Sequence, residues 1–196
     1  MRITKYTHAC VRIEHEGRVL VIDPGAWTEP EAWDGADAVL VTHEHADHVD
    51  VTRVSGVPVY APAGADLPDF PFTAVSVGEE FTAGGFRVRA FGGEHAFIYE
   101  EQPSCANLGY LVEDALYHPG DSVFVPPVPV ETLCVPMQGG WLKLHEAIDF
   151  LKAVKASRAF GIHDGQLNER GLGSVNAWLS EDGGHDYRWL PPRETA

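Results

Sequence analysis

Cationic side chains are scarce in this chain. Lysine and arginine number 14 against 29 aspartates and glutamates in 196 residues, for a formal net charge of −15. A surface of that sign repels phosphate backbones, which argues against a nucleic-acid partner. It does not exclude a small-molecule substrate, because cations held in a pocket outweigh distant carboxylates. Long apolar runs are also missing: none approaches the ~20 residues of a membrane span, so no membrane partner is expected. Met1-Arg2-Ile3-Thr4-Lys5 is followed by no apolar stretch of the kind that drives secretion, and a cytoplasmic chain is expected. Cysteine is rare and odd in number. Cys10, Cys105 and Cys134 have no paired spacing, and Cys10 and Cys134, in apolar stretches, read as reduced core residues of a cytosolic protein. No Gly-x-Ser-x-Gly elbow offers a serine nucleophile. Repeats, low-complexity tracts and interdomain linkers are absent too, so residues 1–196 are expected to form one domain. Homo-oligomerisation is left open by the sequence.

Histidine is what the chain concentrates. Thr42-His43-Glu44-His45-Ala46-Asp47-His48 places three imidazoles and a carboxylate in six residues, in the pattern HxHxDH. The apolar run Ala38-Val39-Leu40-Val41 delivers them and reads as a buried strand. Alternation on extended chain sends residues i and i+2 to the same side, so His43 and His45 can grip one ion. Asp47 and His48 then lie where the chain turns and can face a second. A solvated, histidine-rich turn is the plain alternative, but this spacing after this strand favours metal binding.

The motif, with its surroundings, resembles the metallo-β-lactamase superfamily of metallo-hydrolases. The resemblance runs from about residue 2 to 165. It includes a strand ending in Asp-Pro-Gly (Leu20-Val21-Ile22-Asp23-Pro24-Gly25), the HxHxDH motif, His95 after Gly92-Gly93-Glu94, Asp121 in His118-Pro119-Gly120-Asp121, and His163 in Phe160-Gly161-Ile162-His163. Thr7-His8-Ala9-Cys10-Val11, ahead of the Gly-Arg-Val-Leu-Val-Ile-Asp-Pro run, is most similar to the small branch related to ascorbate-phosphate lactonase. The resemblance implies an αβ/βα four-layer sandwich. It also implies two divalent metal ions, most readily Zn, with Mn or Fe as alternatives. His43, His45 and His95 would hold the first ion, Asp47, His48 and His163 the second, and Asp121 would bridge them. Two ions held about 3.5–4 Å apart bind a hydroxide formed at neutral pH, which would attack an ester-like bond. A lactone, thioester or phosphodiester in a small organic substrate fits that reaction. The competing expectation is a di-iron redox protein or sulfur oxygenase on the same fold. In the di-iron flavoprotein branch a carboxylate commonly replaces the second imidazole, whereas His45 is kept here.

Other residues carry weaker signals. Asp23 is expected to hold a motif imidazole by its outer ring N–H. Asp47 and His118 are the candidate catalytic groups. His8 and His118 each read as a substrate-facing acid or as a structural histidine. Asp164 competes with His163 as a donor. Trp27 and Trp141, with Phe97 and Tyr99, suggest an aromatic pocket mouth. Arg53, Lys143 and Arg170 are the candidate anion-holding cations. His15, His145 and His185 read as surface residues, and Glu44 as structural.

Short β-branched runs separated by glycine and proline predict a hairpin over Cys10–Glu14 and Arg18–Ile22 and strands at 38–41, 57–61, 73–77, 86–91, 108–113, 115–118 and 132–135. Helical spacing predicts helices over 145–157 and 172–180. Periodicity by itself supports no more than a mixture of α and β.

Overall fold

The computed structural model describes residues 1–100, 102, 105–184 and 186–196. Two mixed sheets stack face to face. The first runs in the order β1 (Arg2–Lys5), β2 (Val11–His15), β3 (Arg18–Ile22), β4 (Ala38–Leu40), β5 (Val59–Pro62) and β6 (Thr73–Val75). The second contains β7 (Glu80–Ala83), β8 (Phe86–Glu94), β9 (Ala106–Val112), β10 (Leu116–His118), β11 (Thr132–Pro136), β12 (Arg158–Ile162) and β13 (Asp186–Arg188). Its spatial order is the reverse, from β13 to β7.

Period-two alternation builds the layers. Leu20, Ile22 and Leu40 point between the sheets, where they meet Leu108, Tyr110, Phe160 and Ile162. Val21 and Val39, one residue out of step, point to the outer face of the first sheet. Leu111, Leu133 and Val135 likewise turn outward from the second sheet, under helices α1 (Leu144–Val154) and α2 (Glu169–Asp182). Each fully buried leucine or isoleucine contributes about 1.5–3 kcal/mol by leaving water, so a one-residue slip of register would be severely destabilising. Both tight turns expected from sequence reverse the chain through left-handed backbone, at Glu16-Gly17 and Glu113-Asp114.

The mixed α/β sandwich agrees with expectation, with one difference in its outer layers. The second sheet is covered by two helices. The outer face of the first is covered by a short 3₁₀ turn (Pro30–Trp33) and by loop residues including Val49, Val54, Leu67 and Phe70. Val51-Thr52-Arg53-Val54, followed by Gly56 and Pro58, has the β-branched and helix-breaking composition that keeps this layer irregular. The helices themselves begin earlier than predicted, at Leu144 and Glu169, and α2 is capped by the Asn168 side chain accepting from the Arg170 and Gly171 N–H groups. Among the described residues no helix is long and apolar enough to cross a membrane.

Candidate metal centre

The chemistry-bearing residues follow the ends of strands. Asp23 follows β3, the HxHxDH motif follows β4, His95 follows β8, Asp121 comes three residues after β10, and His163 follows β12. Asp23 and His163 take left-handed backbone at φ 51° and 58°, as does His8 at φ 68°, so three non-glycine residues of the site sit where side chains are rarely found. Two glycines make room. A Cβ on Gly25 would lie 1.9 Å from the Asp47 carbonyl oxygen, and one on Gly120 would lie 2.3 Å from Asn107 Oδ1. The Asp-Pro-Gly loop can therefore pass the motif only with glycine, and the turn into Asp121 has the same restriction.

Three donor groupings result, each with ligand atoms within 4.8 Å of one another: His43, His45 and His95; His8, Asp47, His48 and His163; and His43, His48 and Asp121. The first two abut, with the His43 and His48 ring centroids 4.1 Å apart. Asp121 reaches both: Oδ1 lies 3.1 Å from His48 Nε2, while Oδ2 lies 3.3 Å from His95 Nε2 and 3.1 Å from His163 Nε2.

The outer nitrogens fix which ring atoms face inward. His48 Nδ1 lies 2.7 Å from Asp23 Oδ2, and Asp23 also accepts from the Thr42 N–H and hydroxyl, each at 2.7 Å. Since the Thr42 hydroxyl donates to Asp23, it can accept from His43 Nδ1, 3.1 Å away. His95 Nδ1 donates to the Ala96 carbonyl at 2.6 Å. In their neutral forms, His43, His48 and His95 thus carry their protons on Nδ1 and turn bare Nε2 atoms inward. His48 Nε2, His95 Nε2 and Asp121 Oδ1 are buried without a hydrogen-bond partner. Buried acceptors left bare are costly, and divalent cations would satisfy them, so these residues fit the metals that the sequence implies. His163 Nδ1 is also buried without a partner.

Charge is arranged consistently. Burial, reinforced by the His48 charge, holds His43 well below the ordinary histidine range, and burial followed by His95 lowers His45, which keeps both neutral. Burial opposes ionisation of Asp121, but His48 and His163 outweigh it and hold the carboxyl well below its usual range. Burial likewise opposes the His48 imidazolium, and Asp121 and Asp23 reverse that. Asp47 is brought to about 2, because the His8 hydrogen bond and the His48 charge overcome its burial.

Several expected residues fall elsewhere. His118, a candidate catalytic group, is fully buried. Its Nε2 donates to the Ala9 carbonyl at 2.8 Å, and its Nδ1 accepts from the Gly120 N–H at 3.2 Å. With both nitrogens committed to backbone, it braces the turn before Asp121 and has none to offer a substrate. Asp164 points away from the donors, with its oxygens 3.0 and 2.9 Å from the buried Lys5 ammonium and the Trp189 indole on Oδ2 at 2.8 Å. Arg53 is engaged by the Ala26 and Thr28 carbonyls and the Trp33 ring. Lys143 and Arg170 are exposed beside and within the first turns of α1 and α2. His15 and His145 lie toward solvent, and His185 lies outside the described residues. Trp27 is 45% exposed and sets its ring edge-on to His8 at 4.8 Å. Phe97 and Tyr99 are exposed, and Phe97 lines a cavity of about 340 Å³ with Glu94, His95 and Cys105.

Sequence reasoning missed three contacts. Trp141, read as a pocket wall, donates its indole N–H to Asp121 Oδ2 at 2.9 Å. Asn107 accepts the Asp121 N–H at 2.9 Å and donates to the Pro119 carbonyl at 2.9 Å, which fixes the loop that carries Asp121. Cys105 Sγ lies 3.9 Å from His45 Nε2. A Gly-Gly pair before Trp141 was the only available signal. Nothing marks Asn107 within its strand.

A two-sheet sandwich whose strand ends and connections gather six imidazoles and two carboxylates into adjoining groups has the donors of a metal-binding protein. Residues 2–163 match the family model described as a beta-lactamase superfamily domain, and the chain belongs to that family. It is a metallo-β-lactamase superfamily hydrolase. Protein Rv0786c of Mycobacterium tuberculosis is 37% identical over 97% of each chain. A UPF0173 metal-dependent hydrolase of Carboxydothermus hydrogenoformans is 26% identical over 83% of this chain and 84% of its own length. Among solved structures, a metallo hydrolase of Ignicoccus hospitalis superposes with a TM-score of 0.74 at 16% identity, covering 100% of this chain and 97% of that one, a likeness of fold.

Proposed function

We propose that this enzyme uses two divalent metal ions to hydrolyse an ester-like bond, in a lactone, thioester or phosphodiester, within a small organic substrate. The observation that carries the reading is the pair of abutting donor groups joined by Asp121, with buried His48 Nε2, His95 Nε2 and Asp121 Oδ1 left without partners. Imidazole-rich sites with a minority of carboxylates suit Zn best, and the same donors accommodate Mn or Fe. When bound, such ions supply Lewis acidity and a water acidified to near neutrality.

The protein's own residues prepare that chemistry. Asp23 holds His48 in the tautomer that presents Nε2, and Thr42 does the same for His43. The Trp141 indole meets both His95 and His163 edge-on, with centroid distances of 6.0 and 5.9 Å, and donates to Asp121 Oδ2. The cavity beside His95, about 340 Å³, is of a size for a small organic group. Phe97 on its rim favours an apolar portion, with Ile98 and Tyr99 exposed next to it in sequence. Three imidazoles in the first group favour this reading over the di-iron redox alternative. Free thiols at Cys10, Cys105 and Cys134 suit a single cytoplasmic domain over residues 1–196.

The test is chelation to a metal-free protein, reconstitution with Zn²⁺, Mn²⁺ or Fe²⁺, and a substrate screen. Lactones come first, on the strength of Thr7-His8-Ala9. Turnover should vanish on chelation and return with metal. Isolation of a covalent acyl- or phosphoryl-enzyme on Ser, Thr or Cys would contradict the reading.

A further inference from the structure

His8 lies in the connection between β1 and β2, far in sequence from the residues it meets. It is fully buried, and its carbonyl accepts the His163 N–H at 2.9 Å. Its ring packs 3.9 Å from that of His163, centroid to centroid, with Trp27 edge-on at 4.8 Å. Two polar contacts define its chemistry. The Gly165 N–H, which can only donate, points at His8 Nδ1 from 3.2 Å. Nε2 lies 3.1 Å from Asp47 Oδ2, which as a carboxylate can only accept. A neutral imidazole has one N–H and one lone pair. With the lone pair on Nδ1 taken by Gly165, the proton must be on Nε2.

That assignment separates His8 from the imidazoles around it. His43, His48 and His95 present bare Nε2 atoms inward, whereas His8 presents a proton. His8 belongs by proximity to the group with Asp47, His48 and His163, but in this tautomer it has no lone pair to offer a cation. Nor can it relay protons, since its far nitrogen ends on a backbone N–H. We infer that His8 is a positioning residue, whose Nε2–H clamps one oxygen of Asp47 so that the carboxylate is held toward the second metal group without His8 entering it. The inference rests on the two-metal reading above. It closes both alternatives left by the sequence, because His8 acts neither on substrate nor merely as core.

The experiment measures stepwise Zn²⁺ affinities of the full chain by chelator competition for wild type, His8→Ala, His8→Gln, Asp47→Ala and the double variant His8→Ala/Asp47→Ala. Loss of an outer hydrogen bond of this kind typically weakens metal binding roughly 10–100-fold. One of the two affinities should fall by that factor in His8→Ala while the other stays within about twofold. His8→Gln, whose amide N–H can replace Nε2–H, should recover part of the loss and also guards against misfolding of the alanine variant. In the Asp47→Ala background, His8→Ala should have no further effect, an outcome that a purely structural histidine would not give. Long-range ¹H–¹⁵N spectra should show His8 as the Nε2–H tautomer in both metal-free and Zn²⁺-loaded protein. Loss of that proton on loading would make His8 a ligand and overturn the inference, as would unchanged affinities in His8→Ala or additive effects in the double variant. A wild-type plateau at one equivalent would instead overturn the two-metal reading, and with it the second-group role.

Discussion

Replacing Asp23 by asparagine changes almost no volume but removes an acceptor from a fully buried hub. Asp23 takes three hydrogen bonds at 2.7 Å, from the Thr42 N–H, the Thr42 hydroxyl and His48 Nδ1. An amide can present its oxygen to only one side of that hub. If the oxygen stays on the Thr42 N–H, the new NH₂ faces His48 Nδ1, and the ring must move its proton to Nε2, where Asp121 and the metal group lie. Metal affinity should then fall roughly 10–100-fold, equivalent to about 1.4–2.7 kcal/mol. If the amide turns over, its NH₂ opposes the Thr42 N–H in a buried position. The cost then moves to folding, at about 1–3 kcal/mol for the unsatisfied donors. For a chain of this size that lowers the melting temperature by roughly 2–4 °C per kcal/mol. Zn²⁺ competition with a chromogenic chelator reads the first outcome, and thermal unfolding of the metal-free protein reads the second. Wild-type values in both assays would refute Asp23 as the group that orients His48. Complete loss of metal, equal to that of His43→Ala, would make Asp23 a direct ligand and refute the division of donors.

Further expectations concern Asp121, His48 and Cys105. Trp141→Phe removes the indole donor on Asp121 Oδ2 and should lower turnover by about tenfold while metal content stays at the wild-type level, as checked by elemental analysis beside kinetics. Because Asp121 and Asp23 raise the His48 pKa well above the ordinary histidine value against its burial, a cation binding below that raised value must displace a proton from His48. Calorimetry in buffers of different ionisation enthalpy should therefore detect proton release on metal binding, and affinity should rise as pH climbs through the raised His48 pKa. The Cys105 thiol, pushed up to about 11 by burial, Glu44 and Asp121, should react slowly with iodoacetamide at neutral pH and faster as pH rises toward that value, by mass spectrometry of metal-free protein.

The residues that the structure gathers into donor groups were legible because their signal is local. HxHxDH, Gly-Gly-Glu-His and His-Pro-Gly-Asp are each contiguous, and each follows or closes a strand whose apolar residues mark it. Edge strands were harder. β7 and β13 are three or four residues long and largely exposed, so Glu80-Phe81-Thr82-Ala83 and Asp186-Tyr187-Arg188 carry little hydrophobic period. β1 is harder still, since Lys5 reads as solvent-facing and is buried only because Asp164, 159 positions away, receives it. The same limit applies to His8 and His118. Both are buried histidines near the site, and the backbone groups delivered by distant segments, Gly165 to one and Ala9 to the other, fix which nitrogen carries the proton. The thin outer layer over the first sheet follows from the composition at 51–58, where β-branched residues, Gly56 and Pro58 oppose a helix.

We propose that seven donors hold two ions. Metal-free protein reconstituted with excess Zn²⁺, gel-filtered and analysed by inductively coupled plasma mass spectrometry tests it directly. The account predicts two equivalents per chain, falling toward one in Asp47→Ala and in His163→Ala. A plateau at one equivalent, unchanged by those two substitutions, would contradict it.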